Sequence, residues 1–186
     1  VHERLASLDE ALGREEGRTR PSPWEEVRDF FHYCDNYIDA VDHAAERFAA
    51  GAGDMRAHAA GRLEAAGITV TLEDTPALRR HDPQAGRLIL SARAAAETQT
   101  FQMLLQLALL TQDRLLEATL DLARFQTEEA RAIAKIGLAN YFAGAAMMPY
   151  TAFLDAARST RHDLERLGLA FGASIEQVAH RLSTLQ

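Results

Sequence analysis

Cysteine and lysine are almost missing from this chain: Cys34 and Lys135 are the only examples of each. A single thiol excludes an intramolecular disulfide framework and suits a reducing cytoplasm, where we expect the protein to reside. Long apolar runs are missing too. No stretch approaches the roughly 18–20 apolar residues of a membrane helix, so no membrane partner is expected. The opening Val1-His-Glu-Arg4 lacks the charged and apolar regions of a signal peptide. The histidines, at 2, 32, 43, 58, 81, 162 and 180, never form a His-x-x-x-His pair. There is no glycine-rich phosphate loop, and no Ser or Cys nucleophile has a partner that the sequence can show. Enzymatic readings therefore start from little. A net charge of −7 leaves no general attraction for nucleic acid. With lysine so scarce, the cations are arginines, whose planar forks suit carboxylates and phosphates.

What is present fits one domain with an N-terminal arm, since 186 residues with 47% hydrophobic content can build a proper core. Residues 1–16 hold a weak amphipathic stripe of Leu5, Leu8 and Leu12, and Gly13 to Pro23 reads as a linker, so residues 1–21 are expected to form an arm. The mid-helix start suggests a piece of a longer chain. Ser22-Pro-Trp-Glu25 is a helix start, with Ser as N-cap, Pro at the first position and Glu three residues after the cap. The spacing predicts one helix to about Ala50, buried along Val27, Phe30, Ile38, Val41 and Ala45. It carries Asp39, Asp42, His43 and Glu46 at metal-compatible spacing; a solvated face is the plainer reading, as no second cluster completes the ligands.

A helix over about 54–66 precedes three short strands, 68–72, 78–81 and 87–91, the last two joined by the turn-forming Asp82-Pro-Gln-Ala-Gly86. We expect a small antiparallel sheet. Beyond it the chain is helical, over about 98–111, 113–123, 128–147, 150–159, 161–171 and 174–184. The fold class is α+β, predominantly helical with about three strands.

The helix over 98–111 organises the rest. It is apolar on nearly every side, which marks a buried helix. Gln106 falls in its middle, where an unpaired amide costs about 1–3 kcal/mol, so it needs a partner or lines a cavity. The strand pair Arg79-Arg80 must send its side chains to opposite faces, so one arginine is expected to face the covered side and to require an anion there. Tyr141, Phe142, Met147, Met148, Tyr150 and Phe153 supply aromatic and thioether groups for either a ligand pocket or plain core. Residues 163–182 outline a helix-turn-helix, but an αα-hairpin closing the core is the simpler reading, since the second helix carries little positive charge.

The Phe101 helix, followed by Ala139-Asn-Tyr-Phe-Ala-Gly-Ala-Ala-Met-Met-Pro149, resembles the ImmA/IrrE-type zinc metallopeptidases. Where their His-Glu-x-x-His helix would stand, this sequence has Leu105-Gln106-Leu107-Ala108-Leu109, and the third, acidic ligand faces Gly137 and Leu138. Leucine offers zinc no lone pair and an amide takes no proton from a metal-bound water, so the resemblance implies the fold without metal or peptidase activity. Residues 22–186 would then be a pseudo-metallopeptidase domain.

The likeness sharpens with Ser22-Pro-x-Glu-Glu-Val-Arg-Asp-Phe-Phe31, Leu78-Arg-Arg-His-Asp-Pro83, Met147-Met-Pro-Tyr150 and the segment 171–182. Together they resemble the short-chain fatty acyl-CoA responsive bacterial transcription regulators of the XRE type, over about residues 20–186. That resemblance implies a non-catalytic sensing domain with an acyl-CoA or CoA effector and no other cofactor. It also implies a homo-oligomer, and DNA bound only through an N-terminal helix-turn-helix outside this sequence. Arg79, Arg80, Tyr141 and Tyr150 are the carried-over ligand positions, beside Gln106. The chain departs from the pattern at Gln99, where an arginine is frequent, and at His81, where tyrosine is usual. Two other classes compete: a ligand-free dimerisation module and a hydrolase with a non-zinc site.

Overall fold

A computed structural model of the chain describes residues 22–186; the arm expected over 1–21 lies outside the described residues. The elements run α1 (Pro23–Tyr33), α2 (Asp39–Ala49), α3 (Met55–Ala65), β1 (Thr69–Glu73), β2 (Arg79–Asp82), β3 (Arg87–Ser91) and α4 (Ala96–Thr111). They continue with α5 (Asp113–Ala123), α6 (Glu128–Met147), α7 (Tyr150–Ser159), α8 (Leu164–Phe171) and α9 (Ile175–Leu182).

The apolar helices α4 and α6 pack against each other at the centre. Leu104, Leu107, Leu138 and Phe142 are fully buried there. Helices α1 and α2 cover α6 on one side, while α3 and the sheet cover α4 on the other. The α8–α9 hairpin closes the end of α6.

The predicted helix over 22–50 is two helices. Its start is as expected: Ser22 accepts from the Glu25 amide at 3.3 Å while the Glu25 carboxylate accepts from the Ser22 amide at 2.7 Å. The break comes after Tyr33, where Asp35 and Asn36 adopt left-handed φ values of 50° and 57°. Asp and Asn tolerate that region better than other side chains, so the adjacent pair stops the helix despite unbroken apolar periodicity.

The sheet also departs from expectation. Its order is β1-β3-β2; β2 pairs antiparallel to β3 as predicted, but β1 runs parallel to β3. A parallel neighbour follows from the connection: β1 leaves the pair, the chain crosses to the far edge as β2, then turns back through Gly86 into the central β3. Gly86 has φ 59°, and a Cβ there would stand 2.9 Å from the Gly67 carbonyl, so glycine is required on both counts. Pairing of Arg79 with Leu90 and of Arg80 with Ile89 puts Arg79 on the face of β3 that joins the core, and Arg80 on the other.

The hairpin at residues 164–182 is core architecture. Gly172 is a left-handed cap, and the Ala173 amide donates to the Gly168 carbonyl at 3.0 Å. Ser174 and Gln177 form a reciprocal capping box at the start of α9. Ser174→Ala should lower stability by about 1 kcal/mol in urea titrations; an unchanged midpoint would mean the box is redundant with packing. Arg181, the basic residue that a DNA-reading helix would present here, points inward and is 2% exposed.

Candidate functional site

Helix α4 carries the candidate site. Gln106 is buried in its middle, as are Leu105 and Leu107 on either side. Its side-chain oxygen accepts a hydrogen bond from the Arg79 guanidinium, which reaches in from β2. This resolves where the inward arginine goes and how the buried amide is satisfied. Arg79 is half-buried, and burial pushes its pKa below the ordinary arginine value. Its partner is a neutral amide, and among the described residues no carboxylate lies within ion-pair distance of it. Two residues along the same strand face, His81 buries its Nε2 with no hydrogen-bond partner. Arg80, by contrast, is exposed on the outer face and approaches Glu73 at 3.8 Å.

One turn before Gln106, a cleft of about 340 Å³ opens between α4 and α6. Thr98, Phe101 and Gln102 form one wall, Asn140 and Gly144 another, and Gln177 and His180 of α9 the third, with Leu78 at the mouth. Its lining has hydroxyl, amide and aromatic groups, one carboxylate (Glu176) and no Arg or Lys. Such a slot suits a neutral ligand with amide groups rather than a phosphate.

The two tyrosines lie in a different cluster. Tyr141 is buried; its hydroxyl donates to Asp42 Oδ2 at 2.7 Å and accepts from the Ile38 amide at 3.3 Å. Burial, aided by the Asp42 charge, pushes its pKa far above the ordinary phenol value. Asp42 in turn receives Arg181 through both oxygens, at 2.6 and 3.2 Å. The acidic face of α2 is thus not wholly solvated: Asp42 is 1% exposed. Tyr150 stacks edge-on with Tyr37, ring centroids 5.4 Å apart, and its hydroxyl takes the Gln186 amide at 2.9 Å. The Arg181 guanidinium lies 5.7 Å from the Tyr150 ring centre. So Arg79 and Gln106 come together, Tyr141 and Tyr150 share a second cluster, and Arg80 stands apart from both. The residues that link the clusters to a cleft, Gln102 and Asn140, were not singled out in the sequence. Each neighbours a residue that was: Gln102 lies one helical turn from Gln106, and Asn140 precedes Tyr141.

Gln99, the departure from the acyl-CoA regulator pattern, is built into the scaffold. It accepts from Arg56 at 2.7 Å and donates to the Ser91 and Ala94 carbonyls at 3.0 Å each.

The metallopeptidase resemblance raises the question of zinc. Leu105 and Leu109 provide no donor atom, and a Cβ at Gly137 would already lie 3.0 Å from the Phe31 ring. With leucine at both helix positions and Gly137 or Leu138 at the third, none of the three supplies a donor side chain, so these residues do not fit the ion. Among the described residues no group of three or more His, Cys, Asp or Glu is placed to hold a metal.

Comparison with known proteins agrees with this architecture. The chain is 70% identical over its whole length to the "Propionyl-CoA carboxylase regulator" of Cereibacter sphaeroides, covering 41% of that protein. It is 40% identical to the "HTH-type transcriptional regulator RamB" of Mycobacterium tuberculosis, over 88% of this chain and 36% of that one. The chain thus spans about two fifths of the length of these curated relatives. A solved Mycobacterium tuberculosis transcriptional regulator superposes with a TM-score of 0.85 at 40% identity, over 89% of this chain and 53% of that one. Its relatives are named as transcription regulators, and the model of the IrrE N-terminal-like domain matches residues 63–183. With that match over most of its length, and with the helices and mixed sheet described above, this chain belongs to the IrrE N-terminal-like domain family.

Proposed function

We propose that this chain is the effector-binding domain of a cytoplasmic bacterial transcription regulator, that its effector is an acyl-CoA, and that it catalyses no reaction. The observation that carries this reading is on the covered face of β2. There Arg79 is held against α4 by a neutral amide with no anion, and the His81 nitrogen two residues away has no partner. A half-buried cation without an anion and an unpaired buried nitrogen each cost free energy that a bound anionic ligand would return. The cleft one helical turn along α4 from Gln106, with Leu78 at its mouth, has the complementary chemistry. Gln102, Asn140 and Gln177 suit the two amides of a pantetheine arm, and Phe101 and Leu78 suit its methylenes. The phosphates would then lie toward Arg79, with Arg80 at longer range from the outer face. Support also comes from the relative named for propionyl-CoA carboxylase regulation.

Sensing requires that the acyl-CoA prefer one of two arrangements, since a ligand with equal affinity for both shifts nothing. The cleft is formed partly by α9, so its occupancy bears on how the α8–α9 hairpin sits against α6. A DNA-binding part outside this sequence, working as a dimer on a two-fold operator, would read that change.

The test is calorimetric titration with CoA, acetyl-CoA, propionyl-CoA and longer acyl-CoAs. One acyl-CoA class should bind, Arg79→Ala should weaken it at least tenfold, and Arg80→Ala should weaken it less. Absence of binding by every thioester would overturn the sensing reading. Equal losses for the two arginines would mean that Arg79 has no special place.

A further inference from the structure

The sheet has two edges, and the sequence treats them differently. On one side β2 carries Arg80 and Asp82 and runs into Pro83; charge and proline are what keep an edge strand from pairing with another chain. On the other side β1 reads Thr69-Val-Thr-Leu-Glu73, rich in β-branched residues and charged only at its end. The Thr69 amide donates to the Gly86 carbonyl at 2.8 Å, and the Glu73 carbonyl accepts from the Ala92 amide at 2.8 Å. In a parallel pair every second residue faces the neighbouring strand. Thr69, Thr71 and Glu73 therefore serve β3, and the amides and carbonyls of Val70 and Leu72 point to the open edge. Among the described residues no strand pairs with that edge. Leu72 is 53% exposed there, a large apolar side chain on the same face as the fully buried Leu90. The Thr71 hydroxyl is buried without a hydrogen-bond partner.

We propose that the β1 edge is an interface with a second copy of this chain, the two β1 strands pairing antiparallel about a two-fold axis at Thr71. The strand is self-complementary in that register. Val70 lies opposite Leu72 of the second copy, so the outward amides and carbonyls of one strand exchange bonds with those of the other. The same register sets the exposed Leu72 against a Val70 side chain. It also sets Thr71 against Thr71, where a turn about χ1 lets the two unpartnered hydroxyls bond each other. The charges agree. Glu73, the only charge on β1, falls opposite Thr69 and not opposite itself. Arg87, exposed and paired with Thr69 in the sheet, then lies about 10 Å from that Glu73 at the backbone, within reach of the two side chains. Arg87 has no ion pair among the described residues, and Glu73 has only the 3.8 Å approach of Arg80. Asp74, next along, is held by Arg93. On α3, which packs beside β1, the exposed Arg62 and Glu64 are opposite in sign. The pairing uses up the open edge of both copies and leaves the charged β2 edges outside, so association closes at a dimer. This edge is the far one from Leu78 and the cleft, and the proposal does not rest on the effector reading.

Sedimentation velocity of the 186-residue chain tests this. Strands of five residues bury less than the roughly 1,600 Å² of a standard interface, so a reversible monomer–dimer equilibrium that moves with protein concentration is expected. Thr69→Glu sets a like charge opposite Glu73 and should weaken the dimer at least tenfold; adding Glu73→Lys should restore it. Leu72→Pro removes an outward amide but no bond to β3, and should leave only monomer with an unchanged far-ultraviolet spectrum. As a second measurement, in a Cys34→Ser background, Thr71→Cys should form an intermolecular disulfide under mild oxidation. Non-hydrogen-bonded antiparallel neighbours stand about 4.5 Å apart at Cα, which a disulfide spans. Thr69→Cys, more exposed but opposite Glu73 of the second copy, should not cross-link. A chain that stays monomeric at every concentration would overturn the proposal. So would a dimer indifferent to both Thr69→Glu and Leu72→Pro, which would assign association to another face. Equal cross-linking from positions 69 and 71 would overturn the register and the proposal with it.

Discussion

Arg181→Ala should destabilise the domain by about 3–5 kcal/mol, the largest effect expected of any single polar substitution in it. The side chain is 2% exposed and its partner Asp42 only 1%. The two groups meet through paired contacts at 2.6 and 3.2 Å. The same guanidinium donates to the Met148 carbonyl at 2.9 Å and to the Thr184 hydroxyl at 3.1 Å. Alanine would leave the Asp42 carboxylate in the interior with only the Tyr141 hydroxyl, and would strip the Met148 carbonyl of its donor. The cost is that of a buried charge without its counter-charge, and in urea titrations it should appear as a shifted midpoint with little change of slope. The double variant Asp42→Leu with Arg181→Met removes both charges and should cost much less than either single change. Tyr141→Phe removes two hydrogen bonds, one to the buried Asp42 carboxylate and one from the Ile38 amide, and should cost about 1.5–3 kcal/mol. A loss under 1 kcal/mol for Arg181→Ala would mean that water reaches this cluster.

Gln106→Glu should separate stability from ligand binding. Gln106 stands where a metallopeptidase would carry its general base, so the change restores that residue's charge. It restores no zinc ligand, since positions 105, 109 and 137 remain Leu, Leu and Gly. The new carboxylate would sit 2.9 Å or so from the Arg79 guanidinium, as charge-assisted hydrogen bonds do. Such a bond contributes about 1.5–3 kcal/mol, which offsets much of the penalty for burying the charge, so the free protein should keep its melting temperature or gain slightly. The same carboxylate would take the place of a ligand phosphate at Arg79. Affinity for an acyl-CoA should then fall by about 10–100-fold, the equivalent of that bond energy. Unaltered affinity would remove Arg79 from the binding surface and with it the anion-site reading. A peptidase activity gained by this variant would contradict the non-catalytic reading altogether.

Both results depend on contacts that no local pattern announces. The apolar character of residues 98–111 was enough to place α4 at the centre, and the Ser22 and Ser174 boxes fixed two helix starts, because these signals lie within a few residues of where they act. The alternation of strand side chains was enough to require one inward arginine. What it left open was which one: the register of β2 on β3 selects Arg79, and Gln106 then meets it across 27 positions of sequence. The break between α1 and α2 did have a signal, the adjacent Asp35-Asn36, but the apolar stripe continued through it and concealed the stop. The parallel pairing of β1 with β3 had none, since three short strands of similar composition are compatible with either order.

Asp42 shows the limit most plainly. By spacing it belongs to an acidic helix face, and Asp39 and His43 beside it are indeed exposed. Its burial is decided by Arg181, 139 positions later, through a pairing that forms only once α9 has folded back against α2 and α6. The sequence by itself determined the helical inventory, the buried central helix, the absence of zinc-binding side chains at Leu105 and Leu109, and the likeness to its family. Those are statements about residue type and near spacing. Only the tertiary structure decided which charges are buried together, where a cleft remains between α4, α6 and α9, and which strand forms the open edge of the sheet. A cleft is the space that packed elements fail to fill, and its shape follows from how distant segments meet.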